Sequence, residues 1–283
     1  MIFRFAKGGL DVFPRLVASE HHAEFPDADL ASGNAGLDAL LCGGLPRGTS
    51  TLFLGPAGTG KSTIATQFAA AAALRGERSA LYIFDENINT FRSRSCKLGI
   101  DVESHVKSGL MTVQQVDPAE LSSGEFATML RRVVDGTDAC GRPAKVVIVD
   151  SLNGYLNSMP DSRFLTAQLH ELLSYLGQQG VVTLLTVTQS GMMGNNMHTP
   201  IDTTYLVDNV ILFRYFEARG RVRRAISVVK KRSGKHEPTI RELRVTPAGI
   251  EIGEPLEDFE GVLTGVPRYV GDGAILMKKP DGE

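Results

Sequence analysis

The chain has few cysteines and no long apolar run, and each shortage excludes a class of protein. Its three cysteines, Cys42, Cys96 and Cys140, are widely separated and form no CxxC pair, which excludes a disulfide framework and a cysteine-based zinc site. No stretch approaches the roughly 20 apolar residues of a membrane span. Residues 1–10 contain no apolar core of the kind found in signal peptides. We therefore expect a soluble protein in a reducing, cytoplasmic setting, with no membrane partner.

An excess of charge of one sign is missing from the totals but not from their distribution. The 283 residues include 30 Lys+Arg and 32 Asp+Glu, for a net charge of −2. Residues 219–244, called the basic window below, hold ten of those basic residues and only two acids, so this window carries +8 and the remainder −10. The ten are Arg219, Arg221, Arg223, Arg224, Lys230, Lys231, Arg232, Lys235, Arg241 and Arg244. Such a cationic element in an acidic body suggests nucleic acid or phosphate as its partner.

Short apolar runs alternate with stretches of helical spacing from about residue 33. The apolar runs at 51–54, 80–84, 146–149 and 181–188 predict buried strands, and 62–75, 124–135 and 162–179 predict helices. This alternation predicts an α/β fold, with a mostly parallel sheet flanked by helices. After residue 205, consecutive strands at 206–216, 223–229 and 239–245 predict an antiparallel C-terminal extension that carries the basic window.

The two ends of the chain share a short pattern. Residues 4–12 (RFAKGGLDV) and 244–252 (RVTPAGIEI) match at a constant offset of 240, and each is typical of a hairpin. The two hairpins are either unrelated or copies of one duplicated unit. On the second interpretation, residues 1–16 are the terminal hairpin of a preceding domain. Residues 17–32 are then a linker, 33–270 the main domain and 271–283 a mobile tail.

The segment GPAGTGKS at 55–62 fits the phosphate-binding pattern GxxxxGK[ST] between a predicted strand and a predicted helix. Its glycines allow backbone N–H groups to surround phosphate oxygens. Lys61 supplies charge to the outer phosphates, and Ser62 supplies a hydroxyl to Mg²⁺. The predicted cofactors are therefore ATP and Mg²⁺. The predicted nucleotide contacts in this loop are Gly58, Thr59, Gly60, Lys61, Ser62 and Thr63.

Acidic residues follow two of the predicted buried strands. Asp150 ends the run VVIV and is expected to hold the Mg²⁺ shell, although an aspartate in this place can also cap a helix. Asp85 and Glu86 follow the strand at 80–84, so one is expected to face the γ-phosphate as general base or metal ligand while the other supports it. The alternative is a solvated pair of loop acids. The predicted metal ligands are Ser62, Asp85 and Asp150.

In this order, the motifs resemble the KaiC group of RecA-like ATPases over about residues 30–270. The resemblance is carried by GGLPRG at 43–48, GPAGTGKS at 55–62, the pair Asp85-Glu86, VVIVDS at 146–151 and KKRSGKH at 230–236. It implies a RecA-like P-loop NTPase core. It also implies two such domains in tandem, of which this chain resembles the second, and a homo-oligomeric ring, usually a hexamer, with ATP bound between subunits.

The resemblance gives the basic window a role. Lys230, Arg232 and His236 match the family pattern Lys-x-Arg-x-x-x-His, which reaches the γ-phosphate bound by the neighbouring subunit. Arg224 matches a position associated with the neighbour's nucleotide. Lys230 and Arg232 would then act as arginine fingers do, by stabilising the transition state in trans. The alternative is a solvated basic strand at a sheet edge, where lysines discourage aggregation.

The resemblance also suggests a phosphoacceptor. Alignment of residues 208–212 places Thr204 and Tyr205 at a Ser-Thr pair that is autophosphorylated in the family, so Thr204, or the adjacent Thr203, is the expected acceptor. Tyr205 is a departure that argues against two ordered Ser/Thr phosphorylations. Asp85 stands where the clock protein of the family has Glu, and the retained Glu86 is therefore an alternative base.

Three functions remain in competition. The leading one is a ring-forming ATPase with Ser/Thr autokinase activity that acts as a signalling or clock-like switch with a signalling partner. The second is a RecA-like, ATP-dependent DNA-binding motor or recombination accessory protein. However, the basic window has no aromatic residue for base stacking, so nucleic acid is the less favoured partner. The third is a nucleotide-dependent scaffold with negligible turnover.

Overall fold

The computed structural model describes residues 2–6, 9–13, 16–117, 119–120, 122–157, 162–189, 204–263 and 267–270. The α-helices among them are α1 (Ala35–Leu40), α2 (Lys61–Leu74), α3 (Ile88–Lys97), α4 (Val102–Lys107), α5 (Ser123–Asp135), α6 (Leu152–Asn157) and α7 (Ser162–Gln178). The strands are β1 (Ile2–Ala6), β2 (Gly9–Phe13), β3 (Asp29–Leu30), β4 (Leu45–Pro46), β5 (Ser50–Gly55), β6 (Arg78–Ile83), β7 (Met111–Gln115), β8 (Ala144–Asp150), β9 (Val182–Thr188), β10 (Asn209–Ala218), β11 (Arg221–Lys231), β12 (Ile240–Thr246), β13 (Gly249–Pro255), β14 (Phe259–Glu260) and β15 (Arg268–Tyr269).

Nine of these strands form one sheet in the order β13-β12-β11-β10-β5-β9-β8-β6-β7. The strands from β10 to β7 in that order pair in parallel, whereas β11, β12 and β13 are added antiparallel beyond β10. This arrangement confirms the predicted fold class, a mostly parallel RecA-like α/β core with an antiparallel C-terminal extension. The extension continues the same sheet, so the basic window is attached rigidly to the core.

Helices cover both faces of the sheet and create two core layers. Alternate residues of a strand point to opposite faces. Leu81 and Ile83 accordingly pack in the layer with α1–α4, whereas Ala80 and Tyr82 pack in the layer with α5–α7. The parallel strands β5, β6, β8 and β9 are thus buried on both sides over most of their length, which explains why they contain continuous apolar runs in the sequence.

The sequence patterns missed four shorter helices, which are α1, α3, α4 and α6. Helices α3 and α4 are capped at their N-termini by Asn87 and Asp101, whose side chains accept hydrogen bonds from the backbone N–H groups of Asn89 and Ser104. These caps satisfy N–H groups that a helix start leaves without partners. Helix α3 is mostly polar and buries mainly Phe91 on its inner side, so its apolar periodicity is too weak to show in the sequence.

The parallel strands give the sheet two functional ends, called here the carboxyl edge and the amino edge. Strand β11 runs between them: Arg224 lies opposite Tyr215 toward the carboxyl edge, and Lys230 lies opposite Val210 toward the amino edge. The register shifts beside Val210, and Val229 is left without a partner on β10. Such a bulge changes the direction of the side chains that follow it, in this case Lys230.

The two hairpins with matching sequence also have matching registers. Arg4 pairs with Asp11 in β1–β2, and Arg244 pairs with Glu251 in β12–β13. Their surroundings differ, because Leu10 is 50% exposed whereas its counterpart Ile250 is 8% exposed. The shared register supports the duplication hypothesis, which stays a prediction. Residues 271–283, the predicted tail, lie outside the described residues.

Residues 17–32, predicted as a linker, are packed against the main domain. The ring of His21 meets that of Tyr175 on α7 edge-on, with centroids 5.3 Å apart. The Ala23 N–H donates to the Gln178 carbonyl at 3.1 Å. Leu30 is fully buried, and its strand β3 pairs with β4. The segment therefore packs on the main domain well before residue 33, because a few anchoring residues can hold a segment whose composition is polar.

Among the described residues, no helix has the length and apolar character needed to cross a bilayer.

Candidate functional site

The P-loop joins the carboxyl end of β5 to the start of α2. Gly58 and Gly60 adopt φ angles of 77° and 104°, in the left-handed region that favours glycine. The ammonium of Lys61 donates to the carbonyls of Gly55 at 2.8 Å and Pro56 at 2.7 Å. Burial lowers the pKa of Lys61 to about 8, and the nearby charge of Asp150 opposes part of this shift. The loop thus encloses a lysine whose proton is unusually easy to remove.

Asp150 lies at the carboxyl end of β8, deep beside the P-loop. One of its oxygens accepts a hydrogen bond from the hydroxyl of Thr186 on β9. Burial raises the pKa of Asp150, and hydrogen bonds from Thr186 and Ser62 oppose that shift. Asp150 and Ser62 are therefore adjacent, as a shared magnesium site requires. The sequence patterns did not identify Thr186, since a threonine within an apolar strand has no distinctive pattern.

Asp85 and Glu86 have different partners. Asp85 accepts a hydrogen bond from the hydroxyl of Ser151, which follows β8. Glu86 forms a two-pronged ion pair with Arg94 on α3, at 3.2 Å from Nε to Oε1 and 2.7 Å from Nη2 to Oε2. The third nitrogen of Arg94 donates to the hydroxyl of Thr63 at 3.2 Å. One carboxylate is thus held by a neutral hydroxyl and the other by a cation.

These groups line one open pocket of about 520 Å³ at the carboxyl edge. It brings together most of the residues expected at this edge: Gly58, Gly60, Lys61, Ser62, Thr63, Asp85, Glu86 and Asp150. It also contains Arg224, which was expected to reach a neighbour's nucleotide. It also includes residues that the sequence patterns missed, among them Arg94, Leu98, Ser151, Thr188 and Val245. Thr59, also predicted as a nucleotide contact, does not line the pocket. It is fully buried and donates its hydroxyl to the Pro56 carbonyl at 2.9 Å.

The antiparallel extension forms a wall of this pocket. Arg224 on β11 donates from Nε to the Gly58 carbonyl at 3.1 Å. Tyr215, its neighbour across β10, donates its hydroxyl to the Ala57 carbonyl at 3.0 Å. Arg224, which the resemblance associates with a neighbour's nucleotide, therefore contacts the P-loop of its own chain. Tyr215 was not identified by sequence reasoning.

The other predicted phosphate ligands lie at the amino edge. Lys230 donates to the backbone carbonyls of Thr204 at 2.9 Å and Val207 at 2.7 Å. Arg232 pairs with Asp208 at 3.1 Å while its side chain remains 60% exposed. Neither they nor His236 lines the pocket. The six residue steps from Arg224 to Lys230 span about 20 Å along a strand, so these side chains are remote from the chain's own P-loop.

Most of the basic window is engaged within the fold. Arg223 and Arg244 pair with Glu242, Arg241 pairs with Glu237, and Arg232 pairs with Asp208. Lys231 donates to the carbonyls of Leu41 and Gly44 just beyond α1, and Arg224 and Lys230 donate to the carbonyls named above. Only Arg219, Arg221 and Lys235 show no such partner among the described residues. Most of these charges are therefore engaged in contacts within the chain, which weakens the case for a nucleic-acid surface.

The predicted phosphoacceptor lies at this same edge. Thr204 is partly buried, and its carbonyl is the acceptor for Lys230. The adjacent Tyr205 is 58% exposed. Thr203, the alternative acceptor, lies outside the described residues.

Comparison with known proteins agrees with this geometry. The sequence model of the family described as "ATPase: KaiC" matches residues 30–257. The circadian clock protein KaiC3 of Synechocystis sp. is 28% identical over 269 residues, covering 95% of this chain and 52% of that protein. The circadian clock oscillator protein KaiC of Thermostichus vulcanus is 27% identical over 262 residues, covering 93% of this chain and 49% of that protein.

The KaiC of Synechococcus elongatus is 25% identical over 268 residues, covering 95% of this chain and 50% of that protein. The chain thus spans about half the length of these relatives. The family match covers the P-loop, the acids at the carboxyl edge, strand β10 and the whole β11–β13 extension. This chain belongs to the KaiC family of ATPases.

Proposed function

We propose that this chain binds Mg·ATP in the pocket at the carboxyl edge and hydrolyses it. The observation that carries the proposal is the meeting of the P-loop lysine and serine with three carboxylates from the ends of β6 and β8 in one pocket. Binding of a triphosphate accounts for the cations and the helix N-terminus, and hydrolysis accounts for the acids. A nucleotide-dependent scaffold would need the first set without the second.

The donor set fits Mg²⁺. The described residues contain no group of three or more His, Cys, Asp or Glu that could hold a metal ion. Mg²⁺ in nucleotide sites needs only one or two protein ligands, because phosphates and water supply the others. The Ser62 hydroxyl and Asp150 are the residues that would hold it, with Asp85 at the same edge. Bound there, Mg²⁺ would neutralise phosphate charge.

Among the two loop acids, we assign the general base to Asp85. Both oxygens of Glu86 accept from the guanidinium of Arg94, whereas the partner of Asp85 is the hydroxyl of Ser151. A base must be able to accept a proton from the attacking water, and Asp85 is the less engaged carboxylate. Lys61 would meet the phosphates in exchange for its present backbone acceptors.

We also propose that the functional unit is a homo-oligomeric ring, as the family resemblance implies, with a hexamer as the expected size. Lys230, Arg232 and His236 lie at the opposite edge from the pocket, so their action on phosphate requires a neighbouring subunit. The exposed part of Arg232 is available for this role. In the full-length protein, a preceding KaiC-like domain would stand before residue 17.

The finer proposal is Ser/Thr autokinase activity. Thr204 adjoins Lys230 at the edge that would face a neighbour's ATP, so its hydroxyl would be the acceptor there. Transfer would move the γ-phosphoryl to Thr204 Oγ1, release ADP and pass the hydroxyl proton to a base of the neighbour's site. Because the relatives are named circadian clock proteins, we propose a signalling or clock-like switch with a signalling partner as the biological role.

Turnover of Mg·ATP by the purified chain tests the ATPase proposal. We expect phosphate release that requires Mg²⁺ and that falls at least about 100-fold in Asp85→Asn, with nucleotide binding kept. Binding without release in the wild type would leave a scaffold, and no binding would overturn the proposal.

Mass spectrometry after incubation with Mg·ATP tests the autokinase proposal. Phosphate is expected on Thr204 or Thr203 and lost in Lys61→Ala, and its absence from both threonines would leave a plain ATPase.

A further inference from the structure

Arg94 is a pocket residue that has no place in the motifs of the chain. It lies in the last turn of α3, and its Cζ atom is 5.5 Å from the centre of the Phe91 ring. Two of its nitrogens donate to the two oxygens of Glu86, and the third donates to Thr63. One guanidinium therefore ties α3 to the loop after β6 and to the first turn of α2.

The partner of Arg94 distinguishes it from the other cations of the pocket. Lys61 and Arg224 donate to backbone carbonyls of the P-loop, whereas Arg94 donates to a carboxylate and a hydroxyl. The planar fork of arginine matches both oxygens of a carboxylate, which lysine cannot do. The Glu86 and Arg94 side chains are 25% and 28% exposed, so water screens their charges only in part.

Without Arg94 the pocket would present three carboxylates, Asp85, Glu86 and Asp150, to an anionic ligand, with the charge of Glu86 no longer paired. Mg²⁺ offsets two charges at most, and a further negative charge repels a polyphosphate in a partly desolvated pocket. A freed Glu86 would also be able to move beside Asp85. The fixed ion pair prevents both effects.

We propose that Arg94 is a positioning residue of the nucleotide site, which cancels the charge of Glu86 and fixes its carboxylate against α2. Arg94 acts through Glu86 and does not itself contact the nucleotide. The proposal rests on the function proposed above, because it takes a nucleotide polyphosphate as the ligand. It gives the two adjacent acids separate roles, with Asp85 as base and Glu86 as one half of a structural ion pair.

A double-mutant cycle on Mg·ADP affinity tests the proposal without turnover. Arg94→Gln alone leaves Glu86 uncompensated, so we expect about tenfold weaker binding. In the Glu86→Gln background, Arg94→Gln should weaken binding by less than about twofold, because no charge remains to be cancelled. Arg94→Lys should recover part of the affinity, since it restores the charge without the two-pronged geometry.

Two results would overturn the proposal. Equal losses from Arg94→Gln in both backgrounds would show that Arg94 touches the phosphates directly, and no loss in either would show that it has no part in binding. Failure of the wild type to bind Mg·ADP would instead overturn the proposed function itself. Arg92→Gln is the matched control, because Arg92 lies on the same helix, pairs with Glu103 and is absent from the pocket. Melting temperatures measured for all variants identify any that are misfolded, and these are left out of the comparison. The double variant Glu86→Gln with Arg94→Gln has no unpaired charge from this pair, so we expect it to fold and to allow the test even if Arg94→Gln alone does not fold.

Discussion

Strand β11 carries basic residues near both of its ends, and the two ends meet different parts of the molecule. Near the carboxyl edge, Arg224 donates to Gly58 and so belongs to the chain's own nucleotide pocket. Near the amino edge, Lys230 and the following Arg232 contact the segment 204–208 and do not line that pocket. Of the basic side chains on this one strand, Arg224 therefore completes the pocket, whereas Lys230 is remote from it.

The difference indicates that the pocket of a single chain contains only part of the proposed catalytic apparatus. Binding groups and the base lie together at the carboxyl edge, where one chain suffices to bring them together. Lys230 and Arg232, which are proposed to act in trans, lie about 20 Å away along the strand, so we expect them to reach phosphate only in an assembly. We thus expect binding and turnover to separate when the two edges are mutated independently.

The largest effect is expected from Lys61→Ala at the carboxyl edge. Loss of the buried ammonium removes the main charge on the outer phosphates, so Mg·ADP binding should weaken by more than about 100-fold and ATP-dependent assembly should be lost. Isothermal titration and light scattering measure these two results. Lys235→Ala is the control, since Lys235 is exposed and distant from the pocket. ATP-dependent assembly that persists in Lys61→Ala would contradict the P-loop assignment.

Arg232→Ala at the amino edge should reduce turnover about 100-fold while ADP affinity stays within about threefold. Mixing it in equal amounts with Asp85→Asn should restore activity, because about a quarter of the interfaces in a mixed ring then have both groups intact. Phosphate release by the mixture, compared with each variant alone, is the measurement. If the mixture is no more active than its components, Arg232 does not act in trans.

A smaller effect should come from pH at the carboxyl edge. The pKa of Lys61 lies near 8 in the unliganded site, and bound phosphate favours the charged lysine, so binding above pH 8 must take up a proton. Affinity for Mg·ADP should therefore be constant below that pH and fall by up to about tenfold per pH unit above it. Titration in two buffers of different ionisation enthalpy measures the proton uptake. Lys61→Arg should be insensitive over this range, and a wild-type affinity that does not change between pH 7 and about 9.5 would contradict the assignment.

The smallest effect is expected from Tyr215→Phe, which removes one hydrogen bond to Ala57 and keeps the ring. A lost neutral hydrogen bond costs about 1 kcal/mol, so Mg·ADP binding should weaken by at most about fivefold. The trans-acting end should be unaffected, which predicts normal rescue in mixing experiments. Tyr269→Phe is the control, since that ring packs on Phe259 far along the chain from the P-loop. If Tyr215→Phe reduced rescue in the mixing experiment more than it reduced binding, the two edges of the sheet would not be independent.

Much of the site was predictable from the sequence because its residues follow recognisable runs. The P-loop, Asp85, Glu86 and Asp150 all come directly after buried strands, and parallel strands deliver such residues to one edge. Arg94 was not predictable in this way. It lies on a short polar helix without clear periodicity. Its proposed role depends on the carboxylate of Glu86, eight residues earlier in the chain.

The basic window shows the same division. Its charge is evident from counting residues, but the destination of each charge depends on the strand pairing that brings Glu242 to Arg223 and Asp208 to Arg232. The polar segment 17–32 was expected as a linker for a related reason. Composition describes what a segment is made of, whereas the docking of His21 on Tyr175 depends on where α7 lies.

The sequence alone determined the fold class, the phosphate-binding loop and the acids beside it, because periodicity and turn chemistry are local properties of the chain. Only the tertiary structure decided that Asp85 meets a hydroxyl while Glu86 pairs with Arg94, and that Arg224 and Lys230 lie toward opposite edges. Those answers depend on contacts between residues far apart in sequence and on the length of a strand. Side-chain direction at the Val229 bulge and the pairing of Glu86 with Arg94 arise only when the sheet and its helices have assembled.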